Sequence, residues 1–387
     1  MREALYNADL IVYTDAILAD HAELCFARSV GKRLLSRAEL LQKIGMCFSQ
    51  IIAIAGSHGK TTCTAMCAHV FKSAGMAFTA HIGGHDSVLG NFYTTGREFF
   101  ITEACEYKRN LLKLKATRAV VLNIDRDHME CYDGIDDLTA CFKTFVSKSD
   151  VAFTCADDPR AGNFDECITF GIRNPLSDYR AVDLRSDSER YQFTVEEYGK
   201  PLCRIQLQVI GRCNVYNALA AFAVARSFGF HEKDIKCGLE TFRVMKRRFE
   251  TLGKYKGVNF ICDYAHHPKE LSSTLSTAVK MSKGRLLVVF QPHTYSRTKY
   301  LMPEFVSVLQ YVPNLMIYKT YAAREKYDAE GSGERLAEML GSLYCDNVHV
   351  LKTWLQKTVK ENDIVLFLGA GDIYYVAEHI LKELQEK

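Results

Sequence analysis

The chain has 387 residues, which is more than one ordinary domain holds and predicts two or three domains. Its apolar content of 48%, its charged content of 25% and its 7 prolines exclude a disordered chain and indicate a folded globular one. The net charge of +3 is too small for a nucleic-acid-binding surface, so no nucleic-acid partner is predicted.

The cysteines and the apolar runs indicate the compartment. The 14 cysteines are scattered without a Cys-x-x-Cys pair, which favours free thiols in a reducing cytosol over a disulfide framework. No apolar run approaches the roughly 20 residues of a membrane span, and the first residues include Glu3 and Asp9 rather than an apolar signal core. We therefore expect a cytoplasmic protein with no membrane partner.

The first 47 residues have the pattern of a small α/β unit. A helix is predicted first, followed by a strand at Leu10–Tyr13 and by helices at His21–Val30 and Arg37–Ile44. One strand that ends in a polar loop before a helix is typical of a βα unit in a nucleotide-binding sheet. This stretch is too short to be a whole domain.

The middle of the chain alternates strands with helices. Strands are predicted at residues 51–55, 98–104, 118–124, 150–155 and 167–171, with helices at 61–74, 137–146 and 214–228. This alternation predicts a doubly wound parallel sheet. Residues 191–195 and 203–209 alternate apolar and polar side chains around Gly199, which indicates an inserted antiparallel hairpin.

A second α/β alternation begins near residue 245. Its strands are predicted at residues 258–262, 285–290, 315–319 and 364–368, with helices at 268–281, 302–311, 331–342 and 373–385. The predicted fold class is α/β, with a truncated N-terminal Rossmann-like segment (1–47), a central P-loop parallel-sheet domain (48–244) and a C-terminal Rossmann-like domain (245–387).

A glycine turn follows the first central strand and opens a helix. Its sequence is Gly56-Ser57-His58-Gly59-Lys60-Thr61-Thr62. Backbone N–H groups and the helix N-terminus favour phosphate at such a turn, Lys60 can neutralise it, and the Thr61 hydroxyl can bind Mg²⁺. The spacing of the glycines differs from the general P-loop pattern, so the strand and helix on either side carry this prediction.

Polar residues follow the next two central strands. Glu103 and Glu106 end one of them, and Asn123-Ile-Asp125-Arg-Asp127-His128 ends the other. The carboxyl ends of parallel strands share one sheet edge, so these groups are expected beside Lys60, where carboxylates hold Mg²⁺ against a phosphate. Taken singly, such residues are often only loop solvation or structural histidines, and their combination with the glycine turn favours the functional interpretation.

Further polar clusters follow in the second half of the chain. The Asn214 and Asn217 pair opens a helix that it could simply cap, and Asp263-Tyr-Ala-His266-His267-Pro follows a predicted buried strand. Adjacent histidines point in different directions and no third ligand has zinc spacing, so a zinc site at His266 and His267 is disfavoured. A GTPase switch would need an Asn-Lys-x-Asp base reader, and Asn123-Ile-Asp125 is not one.

Eight motifs occur in the order that the Mur ligase family has them, and the chain resembles that family over residues 56–373. They are Gly-Ser-His-Gly-Lys-Thr-Thr, Glu-Ala-x-Glu, Asn-Ile-x-x-Asp-His-Met, Asn-Val-Tyr-Asn-Ala-Leu-Ala-Ala, Arg-Arg-Phe-Glu, Asp-Tyr-Ala-His-His-Pro, Phe-Gln-Pro-His-x-Tyr-Ser-Arg and Gly-Ala-Gly-Asp-Ile. The His-His-Pro and Gln-Pro-His motifs resemble those of the alanine-adding branch.

The resemblance implies an ATP-dependent ligase that uses Mg²⁺ and joins L-alanine to UDP-N-acetylmuramate through an acyl phosphate, as a monomer or homodimer. It implies catalytic roles for seven residues: Lys60, Glu103, His128, Arg248, Asp263, His267 and Arg297. It implies ATP contacts from the glycine turn (Gly56, Ser57, His58, Gly59, Lys60, Thr61, Thr62) and from Asn214, Asn217, Arg248 and Asp263. It assigns Mg²⁺ to Thr61, Glu103 and His128, and the alanine pocket to His267, His293 and Arg297.

The chain departs from the family pattern in two places. Cys213 stands where the family has His, which is expected to weaken or alter ATP binding. Residues around Asp15 and Ser36 match only the second half of the family's UDP-binding domain. Three hypotheses therefore stay open: an alanine ligase with a minimal UDP domain, a related ligase acting on another carboxylate, and a nucleotide-binding remnant.

Overall fold

The structure is a computed structural model that describes residues 2–187 and 189–386. Within these residues the strands form three sheets, of two, ten and six strands. The N-terminal elements are α1 (Arg2–Asn7), β1 (Leu10–Tyr13), α2 (Ala22–Ser29), β2 (Arg33–Ser36) and α3 (Arg37–Gly45).

The strand β2 was absent from the sequence prediction, and it pairs in parallel with β1 to form the two-stranded sheet. Its four residues have no clear period, so only the pairing identifies it as a strand. Helix α3 starts at a capping box, because the Ser36 side chain accepts from the Glu39 N–H at 3.2 Å and Glu39 Oε2 accepts from the Ser36 N–H at 2.6 Å.

The ten-stranded sheet is the central layer of the molecule. Its elements are β3 (Gln50–Ala55), α4 (Lys60–Ser73), β4 (Phe78–Asp86), β5 (Gly90–Thr94), β6 (Phe99–Glu103), β7 (Arg118–Val121), α5 (Ile135–Ser147), β8 (Val151–Cys155), β9 (Ile168–Gly171), β10 (Tyr179–Asp187), β11 (Arg190–Glu197), β12 (Lys200–Ile210), α6 (Cys213–Arg226) and α7 (Glu232–Thr241). The strand order is β12-β11-β10-β9-β8-β7-β3-β6-β4-β5. The seven strands from β10 to β4 in this order pair in parallel.

Helices cover both faces of this sheet, as the predicted doubly wound architecture requires. Helices α4, α6 and α7 pack with the strands in one core and α5 packs in the other. Thr61 and the nine consecutive residues Cys63–Phe71 of α4 are buried. The alanines of α6 let that helix approach α4 closely. The predicted hairpin is confirmed, with Phe193 opposite Ile205 and Val195 opposite Cys203.

The predicted strand over residues 118–124 ends earlier, at Val121. Asn123 leaves the sheet because it bonds the glycine turn: its Oδ1 accepts from the His58 N–H at 2.8 Å and its Nδ2 donates to the His58 carbonyl at 3.0 Å. Sequence reasoning also left out β4, β5, β10 and α7. Half-exposed strands such as β5, with mixed polar and apolar residues, give little periodic signal.

The six-stranded sheet belongs to the C-terminal part of the chain. Its elements are β13 (Glu250–Tyr255), β14 (Val258–Asp263), α8 (Pro268–Met281), β15 (Leu286–Phe290), α9 (Tyr295–Tyr300), α10 (Met302–Leu309), β16 (Leu315–Tyr318), α11 (Gly333–Leu340), β17 (Leu343–Cys345), α12 (Val348–Thr358), β18 (Ile364–Leu368) and α13 (Ile373–Gln385). The order is β13-β14-β18-β15-β16-β17, in which only β13 pairs antiparallel among the described strands.

The four predicted C-terminal strands and helices are confirmed, whereas β13, α9, β17 and α12 were not predicted. The carboxyl ends of β14, β15 and β18 lie at one edge of this sheet, where α/β proteins bind ligands. No helix among the described residues is long and apolar enough to cross a membrane.

Candidate active site

The glycine turn between β3 and α4 is held from two sides. Gly56 and Gly59 have φ angles of 137° and 87°, a region that favours glycine. A Cβ on Gly59 would lie 2.7 Å from Asn217 Oδ1, so only glycine fits against α6. Ser57 Oγ accepts from the Asp125 N–H at 2.8 Å and donates to the Asp125 carbonyl at 3.2 Å. The loop after β7 therefore fixes the shape of the turn.

Lys60 forms an ion pair with the fully buried Glu106. Its Nζ lies 2.9 and 3.0 Å from the two carboxylate oxygens. Burial lowers the pKa of Lys60, but the charge and hydrogen bonds of Glu106 outweigh it, so the net pKa is raised and Lys60 is a cation. Thr61 and Thr62 follow in the first turn of α4, Thr61 being buried. The lysine is thus held in place at the turn by the second glutamate of the Glu-Ala-x-Glu motif.

The predicted magnesium ligands do not all lie in one group. Glu103 Oε1 accepts from the Gly83 N–H of β4 at 2.6 Å. His128 lies with Glu106 and Asp127, and one ligand atom from each of these three lies within 4.8 Å of the others. Carboxylate oxygens suit Mg²⁺, so Glu106 and Asp127 fit a magnesium site beside Lys60.

His128 itself adopts a left-handed backbone with φ of 55°. Its Nδ1 lies 3.5 Å from Glu130 Oε1 and its Nε2 lies 3.8 Å from Asp127 Oδ2. Burial lowers the pKa of His128, but these two carboxylates raise it further than burial lowers it. The Tyr107 ring packs edge-on at 5.1 Å and closes one side of the imidazole.

Arg297 connects the C-terminal sheet to this group. Its Nη2 donates to Asp127 Oδ1 at 2.8 Å, and its Nη1 donates to the His293 carbonyl at 2.9 Å. Although burial raises the pKa of Asp127, the Arg297 charge lowers it well below its usual range. His293 stacks on Tyr321, and burial lowers its pKa to about 4, so it is neutral at pH 7.

The N-terminal end of α8 provides a second connection between the two sheets. Glu270 Oε1 lies 3.0 Å from His58 Nδ1. On the other side of the same imidazole, His58 Nε2 lies 3.2 Å from Asp125 Oδ2. Burial lowers the pKa of His58, but Asp125 and Glu270 together raise it to about 9, so His58 is protonated at pH 7.

His267, predicted for the alanine pocket, is the N-cap of α8. Its Nδ1 accepts from the Lys269 N–H at 3.4 Å, and its Nε2 donates to the Arg126 carbonyl at 3.2 Å. Burial lowers the pKa of His267, which fits a neutral ring with its proton on Nε2. The side chain is therefore both a helix cap and a contact between domains.

Arg248 and Asp263 line the C-terminal side of the cleft. The Arg248 guanidinium lies over the Tyr264 ring at 4.9 Å. Asp263 accepts from the Phe249 N–H at 2.7 Å and the Ala265 N–H at 2.9 Å. Burial raises the pKa of Asp263 even though Arg248 and these hydrogen bonds oppose the change.

A cavity of about 400 Å³ lies between the glycine turn and the C-terminal side of the cleft. Asn214 and Asn217 line it from α6, joined by a 3.0 Å hydrogen bond between their side chains. Cys213, the position that departs from the family pattern, also lines the cavity. Its lining also includes residues of the glycine turn and α4 on one side and of the C-terminal part of the chain on the other: His58, Gly59, Thr62, Arg248, Asp263, Lys269 and Glu270.

The N-terminal segment contacts the short 3-10 turn at Tyr107–Lys113, which follows the Glu-Ala-x-Glu motif. Asn110 Nδ2 donates to Asp15 Oδ2 at 3.1 Å, and Lys113 Nζ donates to Ser36 Oγ at 3.2 Å. Asp15 follows strand β1, and Ser36 is the last residue of strand β2. The carboxyl ends of this small sheet therefore lie next to the site.

Four residues of the site were given no individual role from the sequence: Glu106, Asp125, Asp127 and Glu270. The first three stand inside the motifs that were recognised. The sequence does not show that their side chains are buried in the cleft, and without that burial their individual roles could not be assigned. Glu270 had a readable signal, because a glutamate three residues after a helix N-cap is the capping-box spacing. Its Oε2 accepts from the His267 N–H at 3.3 Å while its Oε1 contacts His58.

The fold and the cleft define a P-loop α/β protein whose second α/β domain closes over the loop. Residues 54–225 match the Mur ligase middle domain, and residues 247–371 match the Mur ligase glutamate ligase domain. The chain is 39% identical over 391 residues to a UDP-N-acetylmuramate–L-alanine ligase of Lachnospira eligens, covering 97% of this chain and 85% of that protein. A UDP-N-acetylmuramate–L-alanine ligase of Caldanaerobacter subterraneus subsp. tengcongensis is 36% identical, covering 99% and 86%.

Two solved structures share this fold. The UDP-N-acetylmuramate-alanine ligase of Thermotoga maritima superposes with a TM-score of 0.84 at 26% identity, covering 100% of this chain and 87% of that one. The MurF ligase of Thermotoga maritima, solved in complex with ADP, shares the fold with a TM-score of 0.72 at 18% identity, covering 99% of both chains. The chain belongs to the Mur ligase family.

Proposed function

We propose that this protein is an ATP-dependent ligase that joins L-alanine to UDP-N-acetylmuramate in the synthesis of peptidoglycan precursors. The similarity to ligases that carry this name supports the choice of substrates. The observation that carries the proposal is the closed cleft, in which the Lys60 turn faces Arg248 and Asp263 across one cavity. Its location is proposed to be cytoplasmic.

The chemistry needs positioning and charge more than a protein nucleophile. The muramate carboxylate attacks the γ-phosphorus of ATP, which forms an acyl phosphate and releases ADP. The alanine amine then attacks the acyl carbon, and phosphate leaves as the amide forms. Lys60 is proposed to neutralise the phosphates, for which its raised pKa keeps it charged.

The C-terminal domain is proposed to contribute Arg248 and Asp263 to ATP, together with Asn214 and Asn217 from α6. Arg297, His267 and His293 are proposed for alanine, because a guanidinium binds a carboxylate with two parallel hydrogen bonds. In the closed cleft Arg297 already holds a carboxylate, that of Asp127. The alanine carboxylate would replace or join that partner.

Magnesium is proposed to screen the phosphate charges when bound. Thr61 and Glu103 are proposed for one ion, as the resemblance implies. The proximity of Glu106 and Asp127 to His128 supports assigning all three to a second ion. The domain boundaries 1–47, 48–244 and 245–387, and a monomeric or dimeric state, remain predictions.

The direct test is ADP release by the full chain with UDP-N-acetylmuramate, with L-alanine, with both and with neither. Dependence on both substrates, loss of activity with a chelator of divalent cations, and a product whose mass has gained one alanine residue are expected. Turnover with a different acid in place of UDP-N-acetylmuramate would instead support a related ligase of other specificity. No turnover in any mixture would contradict ligation, with a Lys60→Met variant as the background control.

A further inference from the structure

We propose that His58, Asp125 and His267 form a binding site for a borderline divalent cation such as Zn²⁺ at the junction of the two domains. The sequence argued against zinc at His267, because no third ligand stands at a suitable spacing. The fold supplies the missing partners from the other domain, His58 in the glycine turn and Asp125 after β7. The three lie within reach of one ion.

The two distances from Asp125 are close to those of a tetrahedral site. Asp125 Oδ2 lies 3.2 Å from His58 Nε2 and 3.7 Å from His267 Nδ1. One ligand atom from each of the three residues lies within 4.8 Å of the other two. Bonds of about 2.0–2.1 Å in a tetrahedron place neighbouring ligand atoms about 3.3–3.4 Å apart. Binding would therefore require the three side chains to draw slightly closer around the ion.

The outer atoms of the two imidazoles already have the partners that metal-binding histidines use. His58 Nδ1 faces Glu270 Oε1 at 3.0 Å, and His267 Nε2 faces the Arg126 carbonyl at 3.2 Å. In metal sites such acceptors fix the ring orientation and leave the other nitrogen for the ion. Both of the remaining nitrogens, His58 Nε2 and His267 Nδ1, face Asp125.

Asp125 is oriented in the same way. Its Oδ1 accepts from Lys269 Nζ at 2.9 Å and from the Arg126 N–H at 2.8 Å. Its Oδ2 is left for the two imidazoles. The ion would replace the proton that His58 Nε2 shares with Asp125 Oδ2, and that proton would leave to solvent. At His267 Nδ1 the ion would compete with the long hydrogen bond of 3.4 Å that the Lys269 N–H donates.

Two imidazoles and one carboxylate are a ligand set that suits Zn²⁺ and leaves a fourth position for water. Since the ligands come from both domains, the ion ties the glycine turn to the start of α8 and keeps the cleft closed. Binding needs only the folded, closed chain. It is therefore measurable whether or not the protein ligates alanine.

The test is a Co²⁺ titration of the metal-free full chain, read from the visible d–d bands of tetrahedral cobalt. One equivalent is expected to produce these bands, and Zn²⁺ is expected to abolish them by displacement. His267→Asn keeps a helix-capping side chain and His58→Asn keeps a polar one, and each is expected to weaken binding at least tenfold. Glu270→Gln, which removes the charge of the outer partner and keeps a side chain that fits the capping box, is expected to weaken it about 10–100-fold.

His128→Asn is the matched control, because it alters the neighbouring Glu106–Asp127–His128 group and is expected to leave the bands unchanged. A rise in the thermal unfolding midpoint on adding Zn²⁺, lost in both His58→Asn and His267→Asn, supports the site independently of the spectrum. The inference is overturned if the bands are absent, if they persist unchanged in both variants, or if thiolate-to-cobalt bands show that cysteines hold the ion.

Discussion

Arg297 Nη2 donates to Asp127 Oδ1 at 2.8 Å across the cleft, although the two residues stand 170 positions apart in the chain. Both side chains are largely buried, with exposures of 14% and 8%. A charge pair removed from water is stable only while both partners remain. This pair therefore joins the two domains in the closed state.

We expect Arg297→Ala to destabilise the closed cleft, because it leaves the Asp127 carboxylate buried without a partner. The cost is about 3–5 kcal/mol, which shifts the protein toward an open form that hydrates the carboxylate. Small-angle X-ray scattering should report a larger radius of gyration. Lys299→Ala, which removes an exposed ion pair from the same helix α9, is the control and should leave it unchanged. An unaltered scattering curve for Arg297→Ala would contradict the prediction.

Lys60 and Glu106 should have separable effects on catalysis. Lys60→Met removes the proposed charge partner of the phosphates and is expected to lower kcat by about 10²–10³. Glu106→Gln keeps the Lys60 side chain but removes a proposed magnesium ligand, so the Mg²⁺ concentration for half-maximal activity should rise at least tenfold, equivalent to about 1.4 kcal/mol. ADP release over a Mg²⁺ titration measures both effects. A Mg²⁺ requirement unchanged in Glu106→Gln would refute its assignment as a ligand.

The His58 and Glu270 pair predicts energetic coupling between the glycine turn and α8. Because the two groups contact each other at 3.0 Å, His58→Asn and Glu270→Gln should be non-additive, with a coupling energy of about 0.5–3 kcal/mol in ADP-forming activity. Lys280→Ala removes a different ion pair between domains, to Glu189, at the opposite end of α8. The effects of Lys280→Ala and His58→Asn on ADP-forming activity should be additive in the double variant. If the His58–Glu270 double variant is also additive, the contact between His58 and Glu270 has no specific role.

Buried Asp86 predicts how stability depends on pH. Burial raises its pKa, but His69 and the N–H groups of Leu89 and Val88 lower it further, so the folded pKa is below the reference value of 3.8. A depressed carboxyl pKa stabilises the fold above about pH 4, and this contribution is lost as the pH falls through the folded pKa.

The variant Asp86→Asn should lose about 1–3 kcal/mol of unfolding free energy at pH 7 and show a shallower decline below about pH 4. Urea unfolding between these pH values measures the difference. Asp165→Asn, at a carboxylate that is 84% exposed, is the control and should follow the parent curve. Parallel curves for Asp86→Asn and the parent would disprove the linkage.

Cys213 lines the cavity proposed to bind ATP, at a position where the family pattern has His. Cys213→His should lower the KM for ATP by about two- to tenfold, which corresponds to at most about 1.4 kcal/mol, because an imidazole adds a polar and stackable contact. The measurement is the KM for ATP at saturating concentrations of the other substrates. A raised or unchanged KM would show that the thiol is not the cause of any weaker binding.

The sequence by itself determined the order of the main strands and helices, the glycine turn and the motifs that flank it. These features are local, since a buried run, a helical period or a glycine turn is complete within a few residues. The strands β2 and β5 and the early end of β7 could not be derived in this way. Each depends on a partner that lies elsewhere in the chain.

Only the tertiary structure decided which charges meet. It pairs Lys60 with Glu106 rather than Glu103, makes His267 a helix cap as well as a site residue, and brings Glu270 to His58 from 212 positions away. Burial in the closed cleft sets the protonation states of these groups, and burial is a property of how two sheets pack. The motifs therefore specify the chemical groups, while the packing of the two domains specifies their partners and charges.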